Sequence, residues 1–88
     1  MTDTQKTMNK AYLLAQQSLA NLKVAVRMVL ADAPPEGLRN ADIGRCLGIY
    51  GGHVGHEGHI SRTILGLMEA DGTVQQNEDN QNWTLKAQ

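Results

Sequence analysis

Apolar positions along the chain mark out three helical stretches and a short alternating tail. In residues 9–33, Tyr12, Ala15, Leu19, Leu22, Val26, Val29 and Ala33 recur at alternating steps of three and four. That is the heptad-like seam of one amphipathic helix. Asn9 is its expected N-cap, and Pro34-Pro35 its stop, because proline disfavours helix at the residue before it. A break at residues 18–21 would divide it into a leading helix, 9–20, and the first helix of the domain proper. Residues 1–8 are polar and aperiodic, and read as a flexible arm. Further on, residues 36–39 read as a turn and one short strand. Asn40 is expected to cap a helix over 41–47, with Asp42 in its first turn where the helix dipole favours negative charge. Ile43, Cys46 and Leu47 supply its buried side, and Gly48 closes it.

The strongest pattern runs from His59 to Leu85. Ile60, Ile64, Leu67 and Met68 fall on one helical stripe, and His59, Arg62, Gly66 and Glu69 on the opposite, solvated face. Gly72 ends this helix, since glycine tolerates the left-handed position just past a helix end. Val74, Trp83 and Leu85 then point inward from two short strands, with the wholly polar turn 77–81 between them. The connection from Ile49 to Gly58 carries four glycines, at 51, 52, 55 and 58, and two of the three histidines, His53 and His56.

Composition narrows the class. The chain has 88 residues, 41% hydrophobic and 19% charged, with a formal net charge of −1. One domain is expected at this length. No apolar run approaches the ~20 residues of a membrane span, and no basic-then-apolar leader is present. The single cysteine, Cys46, excludes an internal disulfide and suits a reducing cytoplasm. From Gly37 onward Arg39, Arg45, Arg62 and Lys86 face Asp42, Glu57, Glu69, Asp71, Glu78 and Asp79. Nucleic-acid binders usually carry a basic excess, so any DNA contact here must rest on a local patch.

Ile60-Ser61-Arg62, the apolar helix after it, Glu69-Ala70-Asp71-Gly72, Val74 and the polar hairpin ending in Trp83 together resemble the winged helix-turn-helix family. The similarity is greatest to MarR-like and related bacterial regulators, and it covers roughly residues 19–85. It departs from the family pattern in the long glycine-rich connection and in an acidic wing. The fold it implies is mostly α (α+β): a three-helix core, a C-terminal β-hairpin wing and an extra N-terminal helical segment, all within residues 9–88. The function it implies is a cytoplasmic, homodimeric transcriptional regulator. Helix 58–70 would read the DNA major groove at half-sites ~34 Å apart, and the leading helix 9–20 would serve dimerisation.

On that reading Ser61 and the backbone at the recognition helix start bind phosphate. Arg62 takes guanine with its planar fork, and His59 and Thr63 flank it. Arg39 and Arg45 are candidate phosphate contacts, with His53 and His56 reaching DNA from the connection. Imidazole gains charge as pH falls toward 6, so affinity carried by these histidines should rise there. The H-x-x-H-x-x-H spacing also suggests metal, but positions i, i+3 and i+6 diverge on a regular helix and no family zinc spacing is present. No metal or cofactor is expected. Nor is an enzyme: Cys46 is read as a small packing residue, and no phosphate-cradling GxxxxGK exists. The acidic residues of the wing, Glu78 and Asp79, keep a second reading open, an interaction module that binds a protein partner and not DNA.

Overall fold

The computed structural model describes residues 2–52 and 54–87. Three helices precede a two-stranded sheet: α1 (Asp3–Ala31), α2 (Asn40–Cys46), α3 (His59–Ala70), β1 (Val74–Gln76) and β2 (Trp83–Leu85). The class is α+β, mostly helical. Among the described residues no helix is long and apolar enough to cross a membrane.

The first helix starts earlier than its seam suggests. Thr2 is extended, and its Oγ1 accepts a hydrogen bond from the Gln5 amide at 3.0 Å, with Asp3 in the first turn. That is an N-cap satisfying one of the helix's orphan donors. The expected flexible arm over residues 1–8 is therefore helical from Asp3, and Asn9 lies inside the helix. Nor does α1 break at residues 18–21. It runs 29 residues without interruption and ends at Ala31, two residues short of the expected Ala33, before Pro34-Pro35.

Only the second half of α1 packs against the rest. Val26 and Leu30 are buried and Leu19 and Leu22 partly so, whereas Met8, Tyr12, Leu13 and Leu14 are exposed. The free half makes the molecule long, 52 × 36 × 20 Å with a radius of gyration of 15.3 Å. A compact chain of this length would have about 12 Å.

The core is Val26 and Leu30 of α1, Ile43 of α2, Ile64, Leu65 and Met68 of α3, and Val74 and Trp83 of the hairpin. The α3 stripe differs from the expected one. Ser61, Ile64, Leu65 and Met68 face inward at i, i+3, i+4 and i+7, while Ile60 and Leu67 remain 46% and 40% exposed. Cys46 is likewise exposed, not packed. On α2 the inward residues are Ile43 and Gly44, with Leu47 half-buried.

Both short helices end alike. Gly48 follows α2 at φ +71°, with Ile49 N–H donating to Gly44 O and Gly48 N–H to Arg45 O. Gly72 follows α3 at φ +79°, with Thr73 donating to Met68 O and Gly72 to Glu69 O. Both are Schellman caps, which need a left-handed residue at the turn.

The strands pair antiparallel, Val74 with Leu85 and Gln76 with Trp83. Asn77 Oδ1 accepts from the Asp79 and Asn80 amides, shaping the tip. The short strand expected at 36–39 is reduced to one bridge. Leu38 and Trp83 exchange both backbone hydrogen bonds, at 3.0 and 2.7 Å. This bridge ties the α1–α2 connection to the hairpin, and it depends on Gly37. Gly37 sits at φ +83°, and a Cβ there would lie 2.3 Å from Trp83 O. Gly37→Ala should cost about 3 kcal/mol, combining left-handed strain with displacement of the bridge. Urea unfolding of the variant against the parent measures it, and an unchanged midpoint would disprove the close approach.

Candidate functional site

The angle between α2 and α3 is held by polar contacts as well as by the core. Ser61 is wholly buried, and its Oγ lies 2.8 Å from Asn40 Oδ1 and 3.1 Å from Gly58 O. Asn40 Nδ2 donates to the same Gly58 carbonyl at 3.2 Å, and Gly58 N–H donates to Tyr50 O at 2.8 Å. Asn40 opens α2, Gly58 is the left-handed residue before α3, and Tyr50 starts the connecting loop. Four separate segments thus meet in one hydrogen-bonded node. Two glycines give it room: a Cβ on Gly44 would lie 2.9 Å from Ser61 Oγ, and one on Gly58 2.7 Å from Asn40 Nδ2. Tyr50 packs against both glycines and carries the Arg45 guanidinium 4.4 Å above its ring centroid, a cation–π contact.

With Ser61 turned in, the outer face of α3 presents His59, Arg62, Thr63 and Gly66, all exposed. Nothing lies within 4 Å of a Cβ added at Gly66. Among the described residues no ion pair engages Arg62; the two ion pairs are Lys23 with Asp71 at 2.8 Å and Arg39 with Asp42 at 3.1 Å. Thr63 Oγ1 donates back to His59 O at 2.9 Å, which leaves its lone pairs outward. Charge is polarised along the helix. Its start has Arg62, and Arg45 on Tyr50 beside Gly58, against Glu57 just before Gly58, and the helix dipole adds positive potential there. Its end carries Glu69 and Asp71, and Glu78 and Asp79 lie in the hairpin turn. Two surface clefts, one between Met28, Pro34, Leu38 and Cys46 and one between Pro35, Gln75, Asn77 and Thr84, include no residue of α3. The face is convex, so it suits a groove in a partner better than a small molecule.

Several expected site residues sit differently. Ser61 cannot reach a phosphate, because its hydroxyl is buried and committed to the node. Arg39 is bidentate on Asp42, Nε to Oδ2 and Nη2 to Oδ1, both at 3.1 Å. The hydrogen bond with Arg39 holds the Asp42 carboxyl below its usual range, and the same contact raises the Arg39 guanidinium. Asp42 also accepts from the Arg39 amide, so Arg39 and not Asn40 is the N-cap residue of α2. Arg45, His56, His59, Arg62 and Thr63 are on the surface, while His53 lies outside the described residues. Among the described residues no three His, Cys, Asp or Glu side chains gather as a metal ion requires. The residues missed from sequence are Asn40, Gly44, Tyr50 and Gly58. The available signal was Ser61 itself, which continues the Leu65–Met68 stripe at helical spacing.

The chain matches no family model, and no curated protein or solved structure matches it significantly.

Ser61→Ala removes the only donor that Asn40 Oδ1 receives within the node. It should destabilise the fold by about 1–2 kcal/mol, read from thermal or urea unfolding without any ligand. A phosphate-binding serine on the surface would instead leave stability unchanged.

The Arg39–Asp42 pair gives a pH dependence of known sign. Because Asp42 has a depressed folded pKa, its contribution is fully present above the ordinary carboxylate value and lost as pH falls through the folded one. Asp42→Asn should therefore flatten the acid limb of the stability–pH curve below about pH 4. Unfolding midpoints of both proteins from pH 3 to 7 check this, and superimposable acid limbs would rule it out.

Proposed function

We propose that this chain is a winged helix-turn-helix DNA-binding module, acting as a homodimeric regulator of transcription in the cytoplasm. α3 is its recognition helix and the β1–β2 hairpin its wing. The observation that carries the reading is the outer face of α3. A buried polar node fixes the helix while His59, Arg62, Thr63 and Gly66 project together into open solvent. Such a convex helix with donors at its start fits the major groove. The order of elements supports it too: helix, single-residue bridge at Leu38, helix, helix, hairpin.

Roles follow from position. Arg62 reads a base edge, most readily guanine O6 and N7. His59 and Thr63 contact bases or sugar-phosphate beside it, and Arg45 and His56 meet the backbone at the same end. Arg39 is occupied by Asp42 and contributes at most after exchanging that partner. The acidic wing stands off the duplex, since Glu78 and Asp79 are repelled by phosphate. With few cations engaged, non-specific affinity is weak and the salt slope shallow.

A second reading is favoured by Ile60 and Leu67, aliphatic residues exposed along one flank of the same face. A helix with Thr63, Gly66 and Ala70 between such residues also suits a protein groove, as in an interaction module. Fluorescence anisotropy with mixed-sequence duplex DNA from low to moderate salt separates the two. On the DNA reading, binding falls as salt rises and Arg62→Ala costs about 1–3 kcal/mol with relaxed sequence preference. Absence of binding at the lowest salt would refute that reading and leave the protein-partner one.

A further inference from the structure

We infer that Tyr50 is a positioning residue of the proposed DNA-contacting surface: its ring holds the Arg45 guanidinium beside the start of α3, ready for a backbone phosphate. The phosphate role rests on the DNA-binding reading; the hold on Arg45 does not.

Tyr50 returns over the end of α2 because the chain reverses at Gly48. That residue sits at φ +71°, and Ile49 N–H then donates to Gly44 O at 2.8 Å. The backbone is pinned from the far side as well, since Tyr50 O accepts the Gly58 amide at 2.8 Å. The ring is fixed as firmly. Its Cδ1 would lie 3.2 Å from a Cβ on Gly44, and its Cε1 3.0 Å from one on Gly58, so the two glycines open the slot that the ring fills. Tyr50 is accordingly half-buried. An aromatic face held between the end of α2 and the residue before α3 is a fixed platform, and Arg45 lies over it, 4.4 Å from its centroid.

The arginines at the two ends of α2 are committed in opposite ways. Arg39 has its edge occupied, with Nε and Nη2 both donating to Asp42. Arg45 is held by its charge over a ring, a contact that requires no acceptor for its N–H groups. Among the described residues no carboxylate pairs with it; Glu57, the acid of the loop, accepts from the Gly55 amide. A guanidinium carries five donors in a rigid fork that matches phosphate. A freely rotating arginine loses side-chain freedom when it uses that fork, which lowers affinity about 5-fold. On Tyr50 that freedom is lost before any ligand arrives, while the donors stay available.

Two measurements on the whole chain test this. In NMR spectra without DNA, the Tyr50 ring current should shift the Arg45 δ-methylene and ε-proton resonances upfield. Tyr50→Leu should return them to ordinary values, and Tyr50→Phe should not. The second measurement is a double-mutant cycle on affinity for mixed-sequence duplex DNA. Arg45→Gln should make the slope of log affinity against log salt shallower by about 0.9, the share of one phosphate. Tyr50→Leu should weaken binding about 5-fold in the parent and leave it unchanged in the Arg45→Gln background. Tyr50→Phe, which keeps the ring, should restore the parent affinity. Arg45 is exposed, so its own variant tests the contact even where Tyr50→Leu disturbs the fold. A role confined to packing would lower affinity equally in both backgrounds, and that result overturns the inference. So would unshifted Arg45 resonances, or a full salt slope in Arg45→Gln; with the parent still binding DNA, these leave the proposed function standing. A parent that binds no duplex at the lowest salt removes the proposed function and the phosphate role together.

Discussion

The hydroxyl of Ser61 governs what α3 can show to solvent. A serine hydroxyl has one proton to donate and two lone pairs, and here it is buried between Asn40 Oδ1 and Gly58 O. Leaving a polar group there unpaired would cost about as much as several apolar contacts supply. The pairing is therefore a geometric condition: α2 must present Asn40, and the loop must deliver the Gly58 carbonyl, at one relative orientation. An aliphatic residue in place of Ser61 would fill the volume without fixing the angle. Once the angle is set, the helical repeat turns His59, Arg62 and Thr63 outward.

The long connection can be read from the same node. Its ends are joined by the Gly58 amide on the Tyr50 carbonyl, so the chain returns at Gly58 to the point it left at Tyr50. That geometry makes length inexpensive, because loop-closure entropy grows only slowly with added residues. Gly58 at φ +81° turns the chain into α3, and the lack of a side chain lets Asn40 and Tyr50 approach. Tyr50 in turn holds Arg45 over its ring, so one aromatic links the loop, the α2 end and a cation.

Much of this was legible. The two Gly-terminated helices, the Pro34-Pro35 stop, the polar hairpin turn and the inward Val74 and Trp83 follow from local rules that tertiary contacts did not override. The start of α1 was misread because apolar periodicity marks where a helix packs, whereas Thr2 and Asp3 mark where it begins. The face of α3 was rotated for a related reason. Counting Ile60 and Leu67 as core leaves Leu65 unplaced, and reading Ser61 as a phosphate contact hides that Ser61, Ile64, Leu65 and Met68 keep the spacing. A buried hydroxyl is not visible to a hydrophobic pattern; it needs its acceptors, and these come from Asn40 and Gly58, far along the chain. The Arg39–Asp42 pair was hidden similarly, since charge counting cannot tell a free guanidinium from a committed one.

Electrostatics then decides which part of the molecule can approach a polyanion. A net charge of −1 gives no long-range attraction, so only charge within about a Debye length, ~8 Å at physiological salt, matters. Asp71 is offset by Lys23, and Asp42 by Arg39. These exposed pairs add little stability, yet each removes an acid's field from the surface near the helices. What remains is Arg62 and Arg45 alongside Glu57 around the start of α3, and Glu69, Glu78 and Asp79 at its end and in the hairpin turn. On the proposed DNA-binding reading, a duplex is held at the first turns of α3 by Arg62 and Arg45 and repelled by Glu78 and Asp79 at the hairpin tip. On the same reading the charges contribute orientation more than affinity, favouring approach by the N-terminal end of α3.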